Sequence, residues 1–195
     1  MAKSKSAYSV PGKQGKLATH IIVVWVDNEA GVLARVAGLF SSRGYSIESL
    51  AVAEIDPKLN ISRITIVTTG TPQVVEQIKL QLKKLVPVHK VADFPKDKTL
   101  FRELALLKVV SNEQKRKKAQ KICKKYNSLI LDKTKKSFVV EVAALRKEID
   151  KLINLLQPLG LASISRTGVV AMSKGSEVFG EKKWKCFMKK IQMSI

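Results

Sequence analysis

The sequence has few of the residues on which secreted and metal-binding proteins are built. Its 195 residues include two cysteines and two histidines. Cys123 and Cys186 are far apart and form no CxxC pair, so neither a disulfide framework nor a zinc knuckle is indicated. We therefore expect a reducing compartment, in which cysteine thiols stay reduced.

Long apolar runs are also missing. Runs such as residues 21–26 are much shorter than the roughly 20 residues that a membrane-spanning helix needs. Residues 1–5 (MAKSK) contain no apolar signal-peptide core. We therefore expect no membrane span and no secretion, with the cytoplasm or a plastid stroma as the location.

Acidic residues are scarce. The chain has 16 aspartates and glutamates against 36 lysines and arginines, which gives a formal net charge of +20. Residues 21–94 are nearly neutral, with 8 basic and 7 acidic groups, so the excess lies in residues 95–173 and in both tails. Lysine outnumbers arginine by 29 to 7. The arginine guanidinium can bind a phosphate through two hydrogen bonds, which the lysine ammonium does not match. This lysine-rich composition is therefore a weaker indication of nucleic-acid binding than the net charge suggests.

Catalytic motifs are absent from the sequence. His20 and His89 have no HExxH-like partner, and there is no GxSxG or P-loop. Cys123 lies in a lysine-rich segment, which would lower its pKa, but no catalytic partner accompanies it. We therefore expect a protein without catalytic activity, metal or cofactor of its own.

The periodicity of apolar residues predicts two successive βαββαβ units. Strands are predicted at 20–26, 46–55, 62–68 and 88–94, then at 101–110, 128–132, 137–143 and 159–172. Helices are predicted at 32–43, from 72 with Thr71 as the N-cap and Pro72 at the first position, at 112–126 and at 145–157. This order predicts the α+β class, with two ferredoxin-like βαββαβ sandwiches.

The same pattern divides the chain into four segments. Residues 1–19 are predicted to be a flexible basic tail, 20–94 the first folded unit and 95–175 the second. Residues 176–195 form a basic tail or a short amphipathic helix, because apolar residues recur there three or four apart, at Trp184, Phe187, Met188 and Ile191. That segment could dock on a partner, touch an anionic membrane or be loosely ordered.

One face of each predicted sheet has no helix to cover it. The strand at 62–68 alternates, with Ile64 and Ile66 on one side and Arg63 and Thr65 on the other. A sheet face without helices either packs against another protein surface or stays exposed to solvent. We therefore expect sheets or sheet edges to pair between chains, in a dimer at least.

The first strand–helix junction is the clearest candidate binding site. Asn28 offers donors and an acceptor, and Gly31 lets a ligand approach the backbone at the start of a helix, where free amides favour a carboxylate. Val32 and Leu33 could house a branched aliphatic side chain. In the alternative interpretation, Asn28 and Gly31 merely form the helix cap and turn.

Five stretches resemble the small, regulatory subunit family of acetohydroxyacid synthase, also called acetolactate synthase. They are DNEAGVLARVAGLFSSRGYSIESLAVA (27–53), SRITIVTTG (62–70), EQIKLQLKKLVPVHKV (76–91), RELALLKV (102–109) and SRTGVVAMSKG (165–175). The resemblance covers residues 20–175 and identifies the first unit as an effector-binding ACT domain. It implies a non-catalytic homodimer that stimulates a large catalytic subunit and confers feedback inhibition by valine or another branched-chain amino acid.

The resemblance also implies where the cofactors and the effector lie. Thiamine diphosphate, a divalent metal and flavin belong to the large subunit. The effector lies between two ACT domains, where one chain offers Asn28, Gly31, Val32 and Leu33 and the other offers Ser46 and Ile47. The chain departs from the family at Ser46, where asparagine is common, and at Ala34, where serine is frequent.

Two observations keep other functions open. The lysine-rich stretch at 115–136 fits phosphate binding, a solvated helix face or an acidic patch on the large subunit. The βαββαβ order is shared with RNA-recognition motifs. These need exposed aromatic residues on the central strands, and residues 62–68 contain none, so nucleic acid is an unlikely partner.

Overall fold

The computed structural model describes residues 15–176. The first sheet contains β1 (Ala18–Asp27), β2 (Ser49–Asp56), β3 (Ile61–Gly70) and β4 (Val88–Asp93), with helices α1 (Val32–Ser42) and α2 (Pro72–Leu82). Its strand order is β2-β3-β1-β4, and all neighbouring strands are antiparallel.

The second sheet repeats this topology after a short 3-10 turn at Lys96–Lys98. It contains β5 (Thr99–Val110), β6 (Leu129–Lys133), β7 (Ser137–Ala144) and β8 (Leu161–Ser173), with helices α3 (Glu113–Lys125) and α4 (Arg146–Leu156). The strand order is β6-β7-β5-β8. The α+β class with two βαββαβ units is therefore confirmed.

Local capping explains where two of the helices begin. The Thr71 hydroxyl accepts a hydrogen bond from the Val74 amide, and Pro72 occupies the first helical position, as predicted. The Asn112 side chain accepts from the Lys115 amide at 3.0 Å and caps α3 in the same way. These side chains satisfy amides that a helix start leaves without partners.

Eight of the twelve elements begin one to three residues from the predicted position, and two of these differences concern the predicted tail and the predicted site. β1 starts at Ala18, inside the segment predicted to be a tail, and the remainder of that tail lies largely outside the described residues. β2 starts at Ser49 rather than at residue 46. The Ser46 carbonyl accepts from the Thr68 hydroxyl at 2.7 Å, so a side chain rather than the strand ladder holds this residue.

Each sheet packs its helices on one face through alternating strand residues. In the first unit the core consists of Ile22, Val24, Val26, Val32, Val36, Leu39, Phe40, Ile64, Ile66, Val75, Ile78 and Leu82. In the second it consists of Ala105, Leu107, Val109, Ala119, Cys123, Phe138, Val140, Val142, Ile149, Leu152 and Leu156. The alternation follows the period of two that a strand imposes.

The open face expected on the first sheet is covered by the second unit of the same chain. Ile64 and Ile66 face the helices as predicted, but Thr65 is also buried on the opposite face. A third cluster fills that face, with Ile21, Val23, Trp25, Ile61, Val67 and Phe94 against Val169 and Ala171 of β8. The expectation of a half-buried β3 was therefore wrong.

Arg63 is the polar residue that made β3 look half-solvated. Its guanidinium carbon lies 5.5 Å from the ring centroids of both Trp25 and Phe94. Its Nη2 donates to the Ala171 carbonyl oxygen on β8. Arg63 therefore bridges the two units and stacks on aromatic rings, an arrangement that adds cation–π attraction to the apolar contact.

This covered face also bears on RNA binding. Among the central strands β1, β3, β5 and β7, Trp25 is 6% exposed and Phe138 is fully buried. Phe101 packs partly buried against the cluster between the units. The central strands of the described chain therefore present no exposed aromatic platform on which bases could stack.

Cys123 behaves as a core residue. It is buried in the second core, and burial raises the pKa of its thiol to about 11. The expectation that neighbouring lysines lower this pKa was wrong, because desolvation of the buried thiolate is the largest influence and outweighs the hydrogen bonds, from Ser128 and the backbone, that lower the pKa. Cys186 and the predicted amphipathic segment at 176–195 lie almost entirely outside the described residues. Within the described part of the chain, no helix is long and apolar enough to cross a bilayer.

Gly168, where β8 meets β2, allows a direct test of the contact between the units. Its φ is +81°, and a Cβ there would lie 2.7 Å from Ser49 Oγ and 3.1 Å from the Leu50 carbonyl oxygen. We expect Gly168→Ala to lower the free energy of unfolding by about 1–3 kcal/mol, through backbone strain and this clash. Urea denaturation at fixed protein concentration measures the change.

Gly38 supplies the control. It lies inside α1, and a Cβ there would meet nothing within 4 Å. Gly38→Ala should therefore leave stability unchanged or raise it by up to about 1 kcal/mol, through helix propensity alone. Equal stability of the Gly168→Ala protein and the wild type would show that β8 and β2 are not in close contact.

Candidate functional site

The turn from β1 into α1 has the geometry of an open helix start. Gly31 is the N-cap, with φ 84°, a left-handed conformation that favours glycine. No side chain caps the helix, and apart from Gly31 and its chain neighbours no atom lies within 4 Å of the position where a Gly31 Cβ would stand. The amide end of α1 is therefore accessible to an external acceptor such as a carboxylate.

Asn28 precedes this helix start and is bonded to β3. Its side-chain oxygen accepts a hydrogen bond from Ser62 Oγ at 2.9 Å, and its backbone amide donates to the Asn60 carbonyl oxygen at 2.6 Å. The side-chain oxygen is thus engaged, and the NH2 group is the donor that Asn28 can offer a ligand. Asn28 does not cap α1, so only Gly31 fits the alternative interpretation of a simple cap.

The other predicted residues differ in what they can present to a ligand. Val32 is buried in the first core, so it supports the site rather than lining it. Leu33 is 43% exposed beside the helix start and is the available apolar surface. Ser46 is exposed, and Ile47 is partly buried against the first core.

The predicted residues fall into two groups at opposite ends of the sheet. Asp27, next to Asn28, pairs with Ile61 at the start of β3. Ser49, next to Ser46 and Ile47, pairs with Val67 near the end of β3. At about 3.4 Å per residue the two groups are about 20 Å apart, so they do not meet within one chain.

A cleft of about 300 Å³ lies directly after Ser46 and Ile47, between the two units. It is lined by Glu48, Ser49, Leu50, Glu103, Arg146, Arg166, Thr167 and Gly168. Sequence reasoning missed it, because its residues come from four segments that are separated by 20 to 53 positions along the chain. Part of its wall lies in residues 165–175 (SRTGVVAMSKG), a stretch that carries the family resemblance but contains no pattern typical of a binding site.

Two ion pairs of different character line this cleft. Glu103 is 3% exposed and accepts two hydrogen bonds from Arg166, at 2.6 and 2.8 Å, while Arg166 also bonds Asp150 at 2.7 Å. Hydrogen bonding to Glu103 and then to Asp150 raises the pKa of Arg166. The second pair, Arg146 with Glu48 at 3.2 Å, is partly solvated and joins the second unit to the residue after Ile47.

The histidines form no catalytic arrangement in the described chain. His89 Nε2 pairs with Asp27 Oδ1. His20 is partly buried within β1. Within residues 15–176, no group of three or more His, Cys, Asp or Glu side chains could hold a metal ion.

The two ion pairs predict different costs of mutation. Arg166→Gln leaves the buried Glu103 carboxylate without its cation, and we expect it to lower the free energy of unfolding by about 3 kcal/mol or more. Arg146→Gln removes a solvated pair and should cost less than about 1 kcal/mol. Denaturant titration of both variants measures the difference, and similar losses would contradict this assignment of burial.

Family models match most of the chain. Residues 22–90 match the model described as an AHAS small subunit-like ACT domain, and residues 102–175 match the small subunit of acetolactate synthase. The two matched ranges correspond to the first and the second βαββαβ unit, and each range covers its unit apart from a few terminal residues.

Individual proteins agree with these models. The chain is 39% identical over 158 residues to the probable acetolactate synthase small subunit of Archaeoglobus fulgidus, covering 81% of the chain and 98% of the relative. It is 37% identical to the acetolactate synthase small subunit of Mycobacterium bovis, covering 85% and 98%.

A solved structure shows the same fold at full length. The crystal structure of the acetolactate synthase small subunit from Thermotoga maritima superposes with a TM-score of 0.75 and 32% identity, covering 82% of this chain and 99% of that one. Together with the family models, these similarities show that the chain belongs to the acetolactate synthase small subunits, the non-catalytic regulatory subunits of that enzyme.

Proposed function

We propose that this chain binds a branched-chain amino acid, valine foremost, and conveys its presence to an acetolactate synthase large subunit as feedback inhibition. Without effector, it raises the activity of that subunit. The observation that carries the proposal is the uncapped start of α1 beside Gly31, with the Asn28 donor next to it.

The chemistry of this junction suits a small aliphatic amino acid. The first-turn amides and the positive end of the helix dipole favour the ligand carboxylate. The Asn28 NH2 group adds a second donor to that carboxylate, because its side-chain oxygen is already engaged by Ser62. Leu33 offers exposed apolar surface to the ligand side chain.

A second copy of the chain completes the site in this proposal. β2 is an edge strand, hydrogen-bonded to β3 on one side only. If two copies pair antiparallel through β2, the start of each β2 lies beside the end of the other. That places Ser46 and Ile47 of one copy at the end of the sheet where Asn28 and Gly31 of the other copy lie, which supports a homodimer with shared sites.

The residues after Ile47 suggest how occupancy could reach the second unit. Glu48 pairs with Arg146, and the Ser49 hydroxyl accepts a hydrogen bond from the Val169 amide at 3.0 Å. A ligand that shifts Ser46 therefore acts on side chains that hold β8. Coupling free energies of this kind are typically about 1–3 kcal/mol. Thiamine diphosphate, the divalent metal and flavin are assigned to the large subunit, which performs the reaction.

Reconstitution with the large subunit of the same organism tests the function. The wild type should raise the acetolactate synthase rate, and valine should reverse the increase. Asn28→Ala should keep the activation and weaken valine binding by about tenfold, because one hydrogen bond to a charged group is lost. Calorimetry and the rate assay measure the two effects.

Asn154→Ala is the matched control, since Asn154 is exposed on α4 of the second unit. It should bind valine and activate like the wild type. No activation by the wild type would refute the regulatory role, and equal valine binding by Asn28→Ala and wild type would refute the assigned site.

Mixed dimers test whether the site is shared. Homodimers of Asn28→Ala and of Ser46→Tyr each contain only damaged sites. A mixed dimer contains one intact site and one doubly damaged site, so it should recover about one valine site with wild-type affinity, as expected for sites built from two chains. Calorimetry of purified mixed dimers measures this, and no recovery would refute a site that is shared between two chains.

A further inference from the structure

One edge of the second sheet forms a surface that is not part of the proposed effector site. We define the basic edge as β6 with the cations of α3 and of the β6–β7 turn. Residues 113–136 contain two acidic residues, Glu113 and Asp132, and ten basic ones: Lys115, Arg116, Lys117, Lys118, Lys121, Lys124, Lys125, Lys133, Lys135 and Lys136. Within this range the ion pair formed is Lys117 with Glu113, at 2.7 Å.

The strand inside this charged region is apolar and exposed. Leu129, Ile130 and Leu131 are consecutive in β6 and are 61%, 37% and 51% exposed. β6 is an edge strand in the order β6-β7-β5-β8, so in the described chain it pairs with β7 alone. Its outer backbone groups and three large apolar side chains are therefore open to an added strand.

Lysines flank β6 at both ends. Lys124 and Lys125 end α3 just before the strand, and Lys133, Lys135 and Lys136 follow it. Two copies that paired through β6 would bring these clusters together, and such juxtaposition of like charges is costly. β2 contains no lysine, so pairing between copies through β2 avoids this repulsion.

We propose that the basic edge docks an acidic, extended segment of the acetolactate synthase large subunit, which adds to the second sheet as a strand beside β6. Backbone hydrogen bonds and contacts with Leu129, Ile130 and Leu131 supply affinity. Carboxylates of the segment pair with the flanking lysines and select the partner. This inference rests on the proposed function, because that function supplies the partner.

Charge reversal at both ends of β6 tests the proposal. The triple variant Lys125→Glu, Lys133→Glu and Lys135→Glu should bind the large subunit at least about tenfold more weakly than the wild type, and its affinity should depend less steeply on salt. The matched control reverses Lys58, Lys83 and Lys84, which are exposed on the first unit. It changes the net charge equally and should bind like the wild type.

A second variant separates the apolar contact from the charge. Leu129→Ser with Leu131→Ser should weaken binding while leaving the salt dependence unchanged, since no charge is altered. Circular dichroism and thermal midpoints confirm that all variants fold. Titration calorimetry or surface plasmon resonance at 50, 150 and 300 mM salt gives the affinities.

The outcomes are distinct. If the wild type fails to bind the large subunit, the proposed function itself is refuted. If the wild type binds and the charge-reversed triple variant binds equally well, the basic edge is not the docking surface. A single-stranded RNA 20-mer is the remaining probe: loss of RNA binding at 150 mM salt in that variant, with unchanged binding of the large subunit, would overturn the proposal in favour of nucleic acid.

Discussion

The contact between β8 and the helix-free face of the first sheet is the constraint on which the rest of the structure depends. Val169 and Ala171 close a cluster with Val23, Trp25 and Val67 that neither unit could bury alone. Burial of apolar area is the main source of stability in such folds, so this contact joins two small units into one body. It also requires a glycine at position 168, where β8 passes β2 too closely for a side chain.

Covering that face limits what else the first unit can do. Its helices occupy one face and the second unit occupies the other, so other molecules are left with the strand edges and the helix ends, of which our proposal uses β2 and the start of α1. The start of β2 and the start of α1 lie at opposite ends of the sheet, and an antiparallel pair of copies would bring them together. The effector site, the dimer and the route to β8 are thus aspects of one geometric arrangement in our proposal.

Local patterns in the sequence predicted the elements well. Period-two and helical spacing placed all eight strands and four helices in order, and Thr71 with Pro72 marked a helix start by a short-range mechanism.

Burial that depends on distant segments was not predictable in this way. Arg63 and Thr65 looked solvent-facing because the sequence does not show that β8 lies over them, and Cys123 looked activated because its charged neighbours do not reveal that its own helix face is buried. Asn28 and Gly31 were visible in one short stretch, whereas the cleft around Glu48, Arg146 and Arg166 requires the folded chain.

A crystal structure of the protein with valine tests the central claim most directly. The account predicts valine at the interface of two copies, with its carboxylate about 2.7–3.2 Å from the first-turn amides of α1 and from the Asn28 NH2 group of one copy. Ser46 of the other copy should lie against the ligand. A helix start that is empty, or blocked by protein atoms while valine occupies another position, would contradict it.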